Sequence, residues 1–475
     1  MSIAFFPQTN PILSYHFEPI RPGLAFSNHF LVNMSFSEKS KRLKVSTNKR
    51  FLTYDNGEPF FYLGDTAWEL FHRLTRYEAD VYLEDRASKG FTVIQAVTLA
   101  ELEGLTVPNP YGELPLINND PTKVNEKYFE HVDYVIQKAG SLGLFTGLLP
   151  TWGDKWNKKW GAGPEIFTVD NARIYGTWIA NRYKEYPIIW ILGGDRPIET
   201  ENHKEVICAM AEGIRNVVGN TQLITFHPMG DHTSSEVFHN DLWLDFNMFQ
   251  SGHVARDLPN YKFTLTDYHK TPTKPVLDGE PRYEDHPVNW RIENGYFDDF
   301  DVRQAAYWSM LSGAGGHTYG NHNIWQFWQK DRKPISEAHT PWKAALKHPG
   351  ATQLGYMRQL FESRPWQLLV PDQTIVSLPA SQIDNVKAAL ASDRSFAFVY
   401  VPNGAAFTIN MSRFSSHQLI AWWYNSKTGI ATFIGKIASQ NYKTFKAPGE
   451  SFRGNDWLLI IDDYTQDFGV PGIKI

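Results

Sequence analysis

One stretch constrains this chain more than any other: Ile188-Ile-Trp-Ile-Leu-Gly-Gly-Asp-Arg196. An apolar run rich in β-branched residues and closed by two glycines reads as a strand buried on both faces, the kind that parallel sheets contain. Asp195 stands at its C-terminal edge. The design returns at Lys274-Pro-Val-Leu-Asp-Gly-Glu-Pro281, a short strand that ends on Glu280. Each run alone has an ordinary explanation, Asp195 as the cap of a following helix and Asp278-Gly279 as a turn. Together they place two carboxyl groups at the ends of two strands of one sheet.

The pattern around them is regular. Leu43–Thr53, Asp55-Asn56-Gly57 and Pro59–Leu63 read as a hairpin running into a first buried strand that ends on Gly64-Asp65. Thr75 caps a helix that closes at Lys89-Gly90. Strands follow at Phe91–Leu99, Leu144–Leu149, 188–193, Gln222–Phe226, Asp245–Gln250, Lys274–Leu277 and Gly315–Tyr319. Helices are expected between them at Asn125–Leu142, Asn171–Glu185, Glu201–Val218 and Asp301–Gly313. Eight strands alternating with helices predict a (β/α)8 barrel rather than an open sheet. With Asp195 ending the fourth strand and Glu280 the seventh, the two acids face each other across the C-terminal mouth, where barrels of this kind carry their active sites. Beyond Leu360 the runs become short and separated by Gly, Asn, Ser and Pro, which predicts a small β-sandwich whose first residues are candidates to pair with the Leu43–Thr53 hairpin. Residues 1–42, punctuated by Pro7, Pro11, Pro19 and Pro22, read as a poorly ordered extension, with Met34 a candidate start. The barrel is expected over 43–365 and the sandwich over 366–475. That sandwich is expected to sit firmly on the barrel, because no Gly/Ser- or Pro-rich spacer separates them.

Composition narrows the partners. A net charge of −5 with interspersed signs argues against nucleic acid and against a basic membrane patch. No apolar run is long enough to cross a membrane. The single Cys208 excludes an internal disulfide and lies in a helical pattern that predicts burial. The first residues lack a signal-peptide layout, from which a cytoplasmic address is expected, with periplasmic or secreted as the alternative. Sixteen tryptophans and twenty-two tyrosines supply flat apolar faces with a polar handle, suited to stacking on sugar rings.

Two carboxyl groups across one mouth are what glycoside hydrolysis needs, one as proton donor and one as nucleophile or base. Around them, Asp65 and Trp68 follow the first strand, and Trp152 and Asp154 follow the third, with Trp156 and Trp160 behind. Asp65 and Asp154 are expected to bind sugar hydroxyls, and Trp68 and Trp152 to stack; capping and core packing are the competing explanations. His227, His253, His269, His317 and His322 lie near strand ends. The first strand carries no His-x-His pair and the chain no H-E-x-x-H, so sugar contact is the simpler reading than a metal. His227, Gln250 and Tyr319 are the candidates by strand position. No cofactor is called for. A metal-dependent barrel hydrolase and a non-catalytic carbohydrate-binding protein are the alternatives.

Five of these motifs, in this order, resemble the apiosidase-like glycoside hydrolases of family 140: Phe61-Tyr-Leu-Gly-Asp-Thr-Ala-Trp-Glu-Leu-Phe71, Gly90-Phe-Thr-Val-Ile-Gln95, Leu149-Pro-Thr-Trp-Gly-Asp154, Trp190-Ile-Leu-Gly-Gly-Asp195 and Asp278-Gly-Glu-Pro281. The resemblance spans about residues 43 to 365, and the tail is similar to the small sandwich that follows this barrel and is labelled collagen-binding; no collagen function is attached to it. The resemblance implies Asp195 as general acid/base and Glu280 as nucleophile. It also implies exo release of apiose from pectin, in particular from rhamnogalacturonan-II side chains. The expectation is thus a retaining exo-glycosidase acting on an oligosaccharide or polysaccharide.

Overall fold

The computed structural model describes residues 42–378 and 385–474. The expected extension over 1–42 therefore lies, but for Arg42, outside the described residues. Eight parallel strands form the barrel: β1 (Tyr62–Thr66), β2 (Val93–Val97), β3 (Phe145–Leu149), β4 (Ile188–Gly193), β5 (Leu223–His227), β6 (Asn247–Gln250), β7 (Val276–Asp278) and β8 (Gly316–Tyr319). They pair in the order β5-β4-β3-β2-β1-β8-β7-β6. The seam between β5 and β6 is joined at its lower end, where Asp245 N–H donates to Ile224 O (2.9 Å) and Thr225 Oγ1 donates to Phe246 O (2.7 Å).

Alternation along each strand sorts the side chains into two cores. On β4, Ile189 and Ile191 fill the barrel with Val93, Val97 and Phe145, while Trp190 and Leu192 pack outward against the helices. Glycines occur where neighbours would collide: a Cβ on Gly64 would lie 2.9 Å from the Tyr62 ring. Helices α1 (Arg76–Ser88), α2 (Glu126–Ser141), α3 (Val169–Tyr183), α4 (Glu201–Val218), α5 (Tyr261–Tyr268) and α6 (Asp299–Leu311) surround the strands. Thr75, Thr168 and Asp298 each open their helix with a reciprocal capping box. Cys208 on α4 is half-buried rather than buried.

The expected hairpin is a three-stranded ribbon of its own, 43–45, 52–54 and 59–60, and it does not pair with the sandwich. Its Leu43, Leu52 and Phe60 join Phe145, Ile189 and Leu223 in the barrel interior, so the ribbon closes the N-terminal end. That apolar face explains the correction, since its partner is the barrel base rather than a sheet edge.

After α7 (Pro349–Glu362) the chain builds two antiparallel sheets. The larger contains Lys387–Ala391, Phe396–Val401, Gln418–Asn425 and Trp457–Asp463. Along Phe396–Val401 every side chain is buried. Phe396, Phe398 and Tyr400 face the barrel, and Ala397, Val399 and Val401 face the smaller sheet. Polar links pin the contact. Arg303 on α6 makes a bidentate, fully buried pair with Asp456 (2.9 and 2.8 Å), and Arg364 pairs with Asp462. Trp423 lies in the sandwich core and Trp422 packs, half-buried, on the barrel side, as strand alternation requires. No helix among the described residues is long and apolar enough to cross a membrane.

Candidate active site

The C-terminal mouth opens into a cavity of about 1190 Å³ whose lining includes Asp195, Glu280, Trp68, Trp152 and Gln250. Asp195 reaches it through an unusual turn. Gly193, Gly194 and Asp195 have φ of 94°, 106° and 52°, three successive residues in the left-handed region. Only glycine fits the first two positions: a Cβ would meet His227 O at 2.4 Å from Gly193 and Gly153 N at 2.7 Å from Gly194. Asp tolerates the third better than most side chains. The turn is held by Gly194 N–H on His227 O (3.1 Å) and Gly153 N–H on Gly194 O (3.0 Å).

His227 binds both acids. Asp195 N–H points at its Nδ1 at 3.4 Å. Its Nε2 lies 3.1 Å from Glu280 Oε2, within ion-pair distance. On the other side His253 Nε2 meets Glu280 Oε1 at 3.1 Å. Burial by itself would push the Glu280 carboxyl up; the two imidazoles outweigh it and hold the group down at about 2. Asp195 goes the other way. Burial, then the charge of Glu280, raise it to about 6 against the pull of Arg196 and His227. Its side chain keeps a quarter of its surface exposed in the cavity. Between these two values, from about 2 to about 6, the Asp195 carboxyl holds its proton while Glu280 is an anion.

The other expected residues divide. Trp68 and Trp152 line the cavity with ring centroids 5.0 Å apart, and Gln250 projects from β6 toward Asp195. Asp65 does not reach the cavity. It accepts from Tyr82 Oη (2.5 Å) and Arg86 Nε (2.6 Å) under α1, fully buried, because it shares the outward parity of Leu63 on β1. Tyr319 pairs with Asp65 across the sheet, also faces outward, and donates to Glu284 Oε2 at 2.5 Å. Asp154 is buried in a pair with Lys155 (2.8 Å) and accepts Gly163 N–H (2.7 Å), so it fastens the loop carrying Trp160 instead of facing the cavity. Among the described residues, no three His, Cys, Asp or Glu side chains are arranged to hold a metal ion.

Among the lining residues, Glu101, His286 and Trp290 escaped the sequence reading. Glu101 follows β2 just as Asp195 follows β4, and the same strand-end rule would have found it. His286 and His322 form a row with His253, successive ring centroids 4.4 Å apart. Trp160 and Trp290 stand half-exposed at the rim, with Trp290 at φ 56°. No short-range pattern marks His286 or Trp290.

Comparison with known proteins identifies both parts of the chain. Residues 46–367 match the model of the apiosidase-like catalytic domain, and residues 370–462 match a domain described as "putative collagen-binding domain of a collagenase". No curated protein sequence matches. A solved structure named glycoside hydrolase shares 34% identity at a TM-score of 0.83, covering 90% of this chain and 98% of its own. A glycoside hydrolase family 5 structure from Bacteroides vulgatus ATCC 8482 shares 34% identity at a TM-score of 0.84, covering 91% and 95%. Another protein of that organism, at 14% identity and a TM-score of 0.64 over 90% and 83%, shares the fold alone. With the family domain spanning the whole barrel and the two-carboxyl mouth at its C-terminal end, this chain belongs to the apiosidase-like glycoside hydrolases.

Proposed function

We propose that the enzyme is a retaining exo-glycosidase that releases terminal apiose from pectin, with rhamnogalacturonan-II side chains as substrate. The observation that carries the chemistry is the placing of two carboxyls in one mouth, Glu280 held between the imidazoles of His227 and His253 at 3.1 Å each, which lower it, and Asp195 without such partners, raised by burial and by the charge of Glu280. In the first step a Glu280 oxygen bonds to the anomeric carbon while the glycosidic C–O bond breaks and the departing oxygen takes the Asp195 proton. In the second step Asp195, now a carboxylate, removes a proton from water; the water oxygen attacks the same carbon and Glu280 leaves with its electron pair. His227 and His253 keep Glu280 ionised in spite of its burial, and Trp68 and Trp152 offer apolar faces to the sugar ring.

The substrate rests on the family resemblance, and the aromatic cavity supports a sugar in general. The test is incubation with rhamnogalacturonan-II side-chain oligosaccharides, with products separated by chromatography and the first-formed anomer read by NMR. Free apiose of retained configuration is expected. Internal cleavage, another released sugar, or an inverted anomer would overturn the corresponding part of the proposal.

A further inference from the structure

We propose that Trp160 is the stacking platform for the leaving group, the first sugar ring of the chain from which the terminal sugar is cut. The inference rests on the assignment of Asp195 as proton donor.

The donor fixes the side. In the first step nucleophile and acid act on opposite sides of the reacting carbon, and the acid gives its proton to the departing oxygen. The leaving chain therefore lies beyond Asp195, away from Glu280. The floor of the cavity is already assigned: Trp68 and Trp152, each 3% exposed, pack beside His227 and offer their faces to the terminal sugar. At about 1190 Å³ the cavity exceeds the roughly 300–1,000 Å³ that encloses a drug-sized ligand, so there is room for the next ring.

Trp160 stands where that ring would come. Its indole is 55% exposed, lines the cavity and lies over the Arg196 guanidinium at 4.7 Å. Arg196 in turn donates to Asp195 O at 2.8 Å and to Asp195 Oδ2 at 3.2 Å, so one buried side chain separates the platform from the donor. The guanidinium backs one face of the indole, which leaves the exposed surface to the other. A flat apolar face of that kind suits the C–H face of a sugar ring. The platform is also preset. Asp154, buried with Lys155 at 2.8 Å, accepts Gly163 N–H at 2.7 Å, and Lys158 N–H donates to Glu165 at 2.8 Å. The loop packs so closely that a Cβ on Gly161 would lie 2.3 Å from Asp154 Cβ. A platform held before binding loses little entropy when the ring arrives. Trp290, also at the rim, belongs to the other side: its ring packs against His253 at 5.9 Å and His286 at 5.7 Å, and His253 holds Glu280.

Trp160→Ala tests the assignment on two substrates, the oligosaccharide and the methyl glycoside of the same terminal sugar, whose leaving group has no ring to stack. The preference in kcat/KM for the oligosaccharide over the methyl glycoside should fall roughly tenfold, through KM rather than kcat. Product inhibition by the trimmed oligosaccharide should weaken by about the same factor. Trp160→Phe, which keeps a flat face, should restore most of the preference, and Trp290→Ala should leave the preference at the wild-type value. An unchanged preference in Trp160→Ala, or a fall in Trp290→Ala instead, would overturn the assignment. So would a fall that comes with a shifted alkaline limb and is not restored by Phe, since the indole would then act through Arg196. Asp195→Asn, assayed in parallel on the methyl and dinitrophenyl glycosides, separates the two claims. If it loses both equally, the acid assignment falls and this inference with it. If it spares only the dinitrophenyl glycoside while Trp160→Ala leaves the preference unchanged, Trp160 alone is misassigned.

Discussion

The two ends of the barrel are built on opposite principles. At the base, Leu43, Leu52 and Phe60 of the ribbon meet Phe145, Ile189 and Leu223, with Phe60 and Phe145 edge to face at 5.2 Å. Nothing polar is asked of that end, and each large side chain buried there stabilises the fold by about 1.5–3 kcal/mol. At the mouth the polar side chains of His227, Gln250, His253 and Glu280 are buried instead. Burying a polar group costs free energy that only good hydrogen bonds repay. Strained backbone concentrates there too, at Asp195 and Trp290. The contrast teaches that the apolar base supplies stability which the mouth gives up in order to hold polar groups ready for a sugar.

Glu280→Gln breaks the comparison at its most exposed point. The shape is kept, so the fold should survive, while turnover on natural substrate should fall by about four orders of magnitude or more. Retention of a tenth of wild-type activity would remove Glu280 from the nucleophile role. Asp195→Asn comes next, with an expected loss of about 10²–10⁴-fold on natural linkages and far less on aryl glycosides with acidic leaving groups. The same variant carries a stability signature. Asp195 has a raised value in the folded protein, so the fold is favoured while it is protonated and loses stability as pH rises from its unfolded value through about 6. Asn at this left-handed position removes that loss, and Tm at pH 7 should exceed wild type, with the difference gone below about pH 4. A lower Tm at pH 7 would show that the Asp195 carboxylate stabilises the mouth.

Phe60→Ala probes the other end. Removing a buried ring at the base should cost about 3–5 kcal/mol of unfolding free energy in denaturant titrations. Below the melting range kcat should be unchanged, because the ring lies at the end of the barrel opposite the chemistry. A large drop in kcat with little loss of stability would mean that the two ends are not independent.

How much of this was legible in the sequence follows the same division. The eight strands could be read because a parallel barrel buries both faces and leaves near-continuous apolar runs, and Ile188–Gly193 is the strongest of them. Asp195 and Glu280 could be read because each stands just past such a run. Parity was the missing step. Counting inward from Tyr62 places Gly64 inside and Asp65 outside, and counting from Leu223 places His227 inside. Applied to the first and eighth strands, this alternation would have withdrawn Asp65 and Tyr319 as sugar contacts. It could not have shown Arg196 between two acids or the row of His253, His286 and His322, since those contacts join loops far apart in the chain. The ribbon was legible as a hairpin, but its partner was not, because a short apolar face does not say what it covers.

The smallest effect sharpens the comparison within the mouth itself. The proposed mechanism needs Asp195 protonated and Glu280 ionised, so kcat/KM should be greatest between the two values and fall about tenfold per unit above pH 6. The limbs belong to the pair, since each carboxyl feels the other. The acid limb depends on the two histidines that outweigh burial at Glu280. His253→Gln keeps one donor to Oε1 and removes the imidazole, so burial should regain part of its influence and the acid limb should rise by about one unit. The alkaline limb should hardly move, because Glu280 is still ionised near pH 6 and still repels the Asp195 carboxylate. Stability follows the same sign: a carboxyl held low stabilises the fold above its unfolded value near 4, and that contribution is lost as pH falls toward about 2. His253→Gln should therefore show a smaller difference in Tm between pH 7 and pH 3 than wild type does. An acid limb unmoved by the substitution would mean that His227 alone holds Glu280 charged, and that His253 serves only to pack beside Tyr283 and His286.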